Sequence, residues 1–334
     1  MSTNAPEPTA ATTQSGAPIV AVTREVPGEL LVPGAQVRVL GPGLAARTDV
    51  LGHVRGASVI VSMYTDAVDD ELLDAAGPQL KGVANFAVGV NNIDLEACRR
   101  RGVAVSNTPD AVTEGTANLA WLLTMACARR MIEADRYARS PAYPANGPLG
   151  MAEFLGKDLL GKNLLIVGAG RIGYATALKA GPWAMRVGYV SRSVKRHFEM
   201  GPINASWMSL HEGLAWADVV SIHTPLTDET RGLIGEREFA AMKPGAILVN
   251  TSRGPVVDES ALVAALESGR LFGAGLDVFE NEPVVHPGLL ERTDVVLTPH
   301  IGSAEVRFRE MMTQMVADSA AAMLAGETPP NPVG

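Results

Sequence analysis

The chain has 334 residues, 47% of them apolar and 19% charged, with a formal net charge of −8. That length holds two ordinary domains, each with its own core. The acidic balance argues against nucleic acid as a partner, because phosphate binding needs a basic face, and no apolar run approaches the roughly 18 residues that would span a bilayer.

Residues 1–17, MSTNAPEPTAATTQSGA, carry one acid and no base. They lack the basic start and apolar stretch of a secretory signal and the arginines of a mitochondrial one, so they read as a disordered tail of a cytoplasmic protein. From Pro18 short β-rich runs alternate with helix-patterned stretches. IVAVT (19–23), VRVL (37–40), ASVIVS (57–62), LKGVANF (80–86) and VAVSN (103–107) read as strands, with DDELLDAAG (69–77) and DLEACRRRG (94–102) as helices between them. That alternation predicts βαβ units around a parallel sheet.

A continuous helical pattern follows over 111–138 and runs into the loop SPAYPANGPLG; it reads equally as a bridge between domains, an arm toward a second subunit, or a single buried core helix. A second alternating series then begins with NLLIVG (163–168), MRVGYV (185–190), DVVSIH (218–223), AILVN (246–250), GAGLDVF (273–279) and DVVLTPH (294–300). It makes a complete doubly wound sheet. Residues 303–324 form one amphipathic helix, and the PPNPVG ending is expected to fray.

LLIVGAGRIG sets Gly168, Gly170 and Gly173 directly after an apolar strand and at the mouth of a helix. The first glycine permits the tight turn, the second lets backbone approach a pyrophosphate, and the third lets the helix pack closely. With strand and helix both in place, the pattern predicts dinucleotide binding. The end of the next strand reads VGYVSRSVKRH, with Ser191, Arg192 and Ser193, then Lys195, and no acid. A carboxylate there would accept from a ribose 2′-hydroxyl, whereas hydroxyl and guanidinium groups suit a 2′-phosphate. NADPH is therefore the expected cofactor, with NADH weaker.

Three polar residues lie at or just beyond strand ends in the second half: Arg253, Glu282 in DVFENEP, and His300 in VVLTPH. Alone, each has a bland reading, as a surface ion pair, a turn residue and a core histidine. Together they suit hydride transfer to a 2-oxo acid. A guanidinium grips a carboxylate with two prongs and polarises a keto oxygen. An imidazolium hands that oxygen a proton, and a neighbouring carboxylate favours the charged ring and orients it.

Cys98 and Cys127 lie far apart and form no metal-spaced pair, so both read as core residues in a reducing cytoplasm. No His, Cys and carboxylate cluster has metal-ligand spacing, and His53, His197, His211 and His286 read as lone surface residues.

VGVNNIDLEA, NTPDAVTEGTA, LLIVGAGRIG, HTPLTDET, NTSRGPVVDE, LDVFENEP and TPHIGSA together make the chain resemble the D-2-hydroxyacid dehydrogenase family, in its glyoxylate/hydroxypyruvate reductase branch. The resemblance runs from about Ile19 to Pro330. It implies a flavodoxin-like substrate domain (18–110 and 302–330) and a Rossmann domain (111–301), with an active-site cleft between them and a homodimer held by the long helix. It assigns substrate binding to Arg253, acid/base work to His300 and the histidine's partner to Glu282. The N–H groups of Val88 and Gly89 would hold the substrate carboxylate. Thr116 would touch the cofactor phosphates, His223, Pro225 and Thr230 the adenosine side, and Asp277 the nicotinamide carboxamide. Arg171, Ile172, Thr251 and Gly302 complete the expected cofactor contacts.

One departure is the absence of a Trp in the loop after the long helix, where Tyr143 or Leu149 would stand in. The expected reaction is NADPH-dependent reduction of glyoxylate or hydroxypyruvate. The alternatives are a family dehydrogenase of a different substrate, such as another small 2-oxo acid, phosphoglycerate, formate or phosphite, and a nucleotide-sensing co-repressor with the same three residues. Formate enzymes of the family have Gln where Glu282 stands, and the phosphite enzyme has Lys where Val88 stands.

Overall fold

Five strands, β1 (Ile19–Val22), β2 (Gln36–Val39), β3 (Val59–Met63), β4 (Gly82–Phe86) and β5 (Ala104–Ser106), form the first sheet, in the order β2-β1-β3-β4-β5. Every pairing is parallel, so each connection must cross over the sheet. The computed structural model describes residues 16–334, and the expected tail lies outside them but for its last two residues. The crossover helices start where the sequence supplies caps. Asp69 accepts from the Leu72 N–H ahead of the helix Asp70–Ala76, and Asp94 from the Ala97 N–H ahead of Leu95–Arg100. Leu72, Ala97 and Cys98 from these helices pack on Ile60 and Val83 of the sheet.

The second sheet contains β6 (Asn163–Val167), β7 (Arg186–Val190), β8 (Ser206–Trp207), β9 (Val219–Ile222), β10 (Ala246–Asn250), β11 (Leu271–Leu276) and β12 (Val295–Leu297). Its order is β12-β11-β10-β9-β6-β7-β8, parallel throughout. This is the doubly wound α/β class that the alternation predicts. All residues of β3, β4, β6 and β10 are buried, which is why they read as continuous apolar runs instead of alternating ones. The strand β8 was not foreseen; two exposed residues at a sheet edge carry no periodic signal.

Contacts divide the chain into two units, one running to Thr108 and taking in Thr313–Gly334, the other Pro109–Met312. Among the described residues, no helix is long and apolar enough to cross a membrane. Both cysteines are free and buried, and burial pushes the Cys98 thiol up to about 11 and the Cys127 thiol up to about 12.

Two expectations need correction. The long helix is two, Thr113–Ala128 and Met131–Arg139, broken at Arg130, whose φ of 50° is left-handed. No Gly or Pro marks the break. The strained backbone, worth roughly 1–2 kcal/mol, is held by the Arg130 guanidinium on Glu133, with both bonds at 2.8 Å. The PPNPVG ending does not fray. It returns along β5, with Asn107 N donating to Asn331 O at 3.2 Å and Val333 N to Val105 O at 2.9 Å. Three of the lone histidines have structural work. His53 bonds the Arg38 carbonyl at 2.9 Å, His197 packs on Tyr174 and Phe198, and His286 Nδ1 accepts from Gly288 N.

The helix Thr113–Ala128 packs tightly on the second sheet because β11 carries Gly275 there, where a Cβ would come within 2.7 Å of Leu123 Cβ. Leu123 is 1% exposed. Leu123→Ala should therefore cost about 2–5 kcal/mol, read as a lower urea midpoint at unchanged slope. An unchanged midpoint would mean that the helix is not packed this way.

Candidate active site

The sheet order reverses between β6 and β9, so their carboxyl ends part into a crevice. Gly168 turns the chain out of β6 at φ 105°, and a Cβ there would stand 2.6 Å from the His223 carbonyl carbon and 2.7 Å from Thr224 N. Only glycine fits. A Cβ on Gly173 would run into the Gly168 oxygen, so this glycine brings the helix Arg171–Leu178 down on the turn. At Gly170 nothing lies within 4 Å of a would-be Cβ, and no side chain caps the helix behind it. The N–H groups at its start are left to an anion. The Arg171 side chain turns to Asp110, 3.6 Å away, and the Ile172 carbonyl accepts from Thr176 Oγ1.

Beyond β7, the Ser191 hydroxyl donates to Ser193 O at 2.6 Å, and the Trp207 indole N–H holds Ser191 O at 3.1 Å. Trp207 is thus what the unforeseen strand β8 contributes. Lys195 enters through its backbone N–H, which donates to the Tyr189 hydroxyl. Arg192 is exposed, and Glu229 is held below its ordinary range by the Thr227 hydroxyl first and by the Arg192 charge last. Thr230 closes its own loop, donating to Pro225 O at 2.6 Å.

On the other side of the crevice, Asn250 ends β10 and shapes the turn after it. Its Oδ1 accepts from Ser252 N and Oγ, while its Nδ2 donates to Arg253 O at 3.0 Å. Arg253 Nη1 donates to Ser252 O at 2.6 Å. Gly254 presses on the chain leaving β11, since a Cβ there would overlap the Phe279 carbonyl. That contact sets Arg253 beside the segment carrying Glu282. Glu282 Oε1 accepts from Phe279 N at 3.1 Å, and Oε2 meets His300 Nδ1 at 2.8 Å. Burial pushes the Glu282 carboxyl up, but His300, the Phe279 N–H and the Arg253 charge outweigh it and hold it below the usual range. The segment is pinned from behind by Glu259, 4% exposed, whose carboxylate accepts from Glu280 N at 2.9 Å.

His300 itself sits at φ 55°. Its N–H donates to Asp277 O, and the Asp277 carboxylate gathers Thr298 Oγ1 at 2.7 Å and the N–H groups of Ile301 and Gly302 at 2.8 Å. Asp277 is 1% exposed, and burial raises its carboxyl despite these donors. Gly302 has no room for more, since a Cβ would stand 3.2 Å from both Asp277 Oδ2 and Thr116 Oγ1. Thr116, Asp277 and Gly302 therefore meet. In the other unit, Val88 and Gly89 follow β4, with their carbonyls held by side-chain amides.

Sequence reasoning missed Asn250, Glu259 and Trp207. Asn250 and Glu259 flank the SRG motif and carry polarity that the alternation pattern does not weigh, and Trp207 gave no signal.

The family model described as "D-isomer specific 2-hydroxyacid dehydrogenase, NAD binding domain" matches residues 121–302. A glyoxylate reductase of Thermococcus litoralis is 46% identical over 294 residues, 87% of each chain. A crystal structure of a Thermus thermophilus protein superposes with a TM-score of 0.88 at 43% identity, covering 95% of this chain and 100% of that one. An NADPH-dependent glyoxylate/hydroxypyruvate reductase from Sinorhizobium meliloti, solved with NADP and malonate, has a TM-score of 0.81 at 29% identity, covering 95% and 97%.

The chain belongs to the D-isomer specific 2-hydroxyacid dehydrogenase family. It falls in the glyoxylate reductase branch and is an NAD(P)-dependent oxidoreductase acting on the CH–OH group of donors. A 2-hydroxyacid dehydrogenase needs a dinucleotide site, and the residues at this crevice fit one. Buried His223 Nδ1, Thr224 Oγ1 and Thr251 Oγ1, at the ends of β9 and β10, have no hydrogen-bond partner among the described residues. Polar atoms in that state are costly unless a ligand meets them.

Burial also pushes the His223 imidazole down to about 3, from an ordinary 6.5, with Nε2 bonded to Ser221 Oγ at 2.9 Å. The folded ring binds fewer protons than the unfolded one, so its contribution to stability is intact above the unfolded pKa and is lost as pH falls below it. Between about pH 6.5 and about pH 5, His223→Gln should show a shallower fall of Tm than the wild type. Identical slopes would show that the ring is not held neutral.

Proposed function

We propose that the protein reduces glyoxylate, and hydroxypyruvate beside it, to the 2-hydroxy acids, using NADPH in preference to NADH. The observation that carries this reading is the 2.8 Å pair of Glu282 and His300, with Arg253 near enough to act on the Glu282 charge, in a sheet that also carries the glycine cradle. The relatives named as glyoxylate reductases support the substrate class.

The bound nicotinamide supplies the hydride. Around it the chain's own groups bind, orient and move a proton. The Arg253 guanidinium takes a substrate oxygen pair and polarises the keto group. The Val88 and Gly89 N–H groups hold the carboxylate. Because Nδ1 of His300 is committed to Glu282, Nε2 is the nitrogen that gives the keto oxygen its proton. Glu282 keeps the ring in that orientation and stabilises its charged form.

The absence of a carboxylate just beyond β7, where Ser191, Arg192 and Ser193 stand, supports NADPH. The same reading has the enzyme act in the cytoplasm as a homodimer, with exposed Met131, Tyr143, Leu149 and Met151 available for an apolar contact.

NADPH oxidation on addition of glyoxylate tests the proposal, and no turnover with any 2-oxo acid would sink it. In that assay His300→Ala should lower kcat by about 10²–10⁴-fold while NADPH binding, followed by fluorescence, survives. Arg253→Ala should raise KM and lower kcat together; unchanged kinetics would remove it from the substrate. Ser191→Asp combined with Arg192→Ala should move preference toward NADH, and an unchanged NADPH/NADH ratio would count against the 2′-phosphate reading.

A further inference from the structure

The turn after β4 is built from three consecutive peptides whose carbonyls are all engaged. Ala87 O accepts from Thr108 N at 3.0 Å, Val88 O from Asn107 Nδ2 at 2.8 Å, and Gly89 O from Asn85 Nδ2 at 2.8 Å. A trans peptide holds its N–H on the side opposite its C=O. Each clamp therefore turns away the N–H that follows it: Val88 opposite Thr108, Gly89 opposite Asn107, and Val90 opposite Asn85. Among the described residues these three N–H groups donate to no protein acceptor. They are partly accessible on a turn whose other face is buried.

The two amides are themselves locked. Asn85 is fully buried on β4, in register with Ser62 of β3. Its Oδ1 accepts from Ser62 Oγ at 3.1 Å and lies 3.4 Å from Asn92 Nδ2, so only Nδ2 can face Gly89. A buried Asn and Ser side by side in a core sheet are costly unless satisfied. Here their bonds serve the turn. Asn107 follows β5, and its backbone is tied to the returning C-terminal segment through Asn331 O at 3.2 Å.

We infer that Asn107 and Asn85 are positioning residues, whose amides fix the Gly89 and Val90 N–H groups as preorganised donors to the substrate carboxylate, with Val90 as a third donor beside Val88 and Gly89. This rests on the proposed function in one respect, that the turn receives a carboxylate. Neutral backbone donors held in place cost no reorganisation on binding, so the turn recognises an anion with no cation of its own. Losing a clamp frees the peptide to rotate and aim its carbonyl at the anion.

The test uses the full chain with Asn107→Asp and Asn107→Ala, since Asn107 is half-buried and Asn85→Ala risks the fold. The aspartate sets a carboxylate against Val88 O and is the more severe change. Asn107→Asp should raise KM for glyoxylate, and weaken oxalate measured by calorimetry, by about tenfold or more. NADPH affinity should stay unchanged and kcat within about threefold, with Asn107→Ala intermediate. A merely structural role would instead lower Tm and leave KM and oxalate affinity within about twofold of wild type, and that result would overturn the inference. So would a wild type that does not bind oxalate. Oxalate binding that weakens in the variants of a protein that reduces no 2-oxo acid would retain the positioning role and sink only the proposed reaction.

Discussion

The Asp277 carboxylate, buried among donors of its own chain, is the interaction on which the chain beyond β11 and β12 depends. Its two oxygens collect Thr298, Ile301 and Gly302, and its carbonyl takes the His300 N–H. These bonds hold the imidazole on a left-handed backbone that a histidine would otherwise leave. Burying a carboxylate is unfavourable, and the raised Asp277 carboxyl shows that the cost is not fully offset. What the arrangement secures is position. With the turn fixed, the His300 ring meets Glu282, and Glu282 is fixed in turn by the Phe279 N–H.

The same logic runs through the cofactor crevice, where the constraint is space instead of charge. Gly168, Gly173 and Gly254 each occupy a place where a single added carbon would strike backbone. Their effect is to bring turns from β6, β9, β10 and β11 close enough to share one crevice. The polar atoms of His223, Thr224 and Thr251 that find no partner among the described residues follow the adjacent strands β9 and β10. A crevice shaped by backbone and lined with unmet donors and acceptors is already organised for a dinucleotide.

Much of this was legible in the chain, for physical reasons that differ by element. The strands with every residue buried, such as β6 and β10, are short apolar runs bounded by turns, and that signal is local. The helix starts at Asp70 and Leu95 were legible because a cap is a contact between near neighbours in sequence. The break at Arg130 was not, since nothing in ARRMIEAD disfavours a helix and the left-handed residue is held by contacts to Glu133, Phe154 and the Cys127 carbonyl. The C-terminal segment read as frayed because Pro- and Asn-rich chain carries no periodicity. It is ordered by β5, a strand more than two hundred residues earlier.

The sequence by itself determined the doubly wound class, the glycine turn and the motifs that carry Arg253, Glu282 and His300, because each depends on residues within a few positions of one another. Only tertiary structure decided that Glu282 bonds His300, that Glu259 braces Glu280, and that Asn85 and Asn107 turn the carbonyls of the Val88–Gly89 turn. Those contacts are made when strands far apart in the chain come into register. Which polar residues then face each other follows from how the sheet packs, which no local pattern encodes.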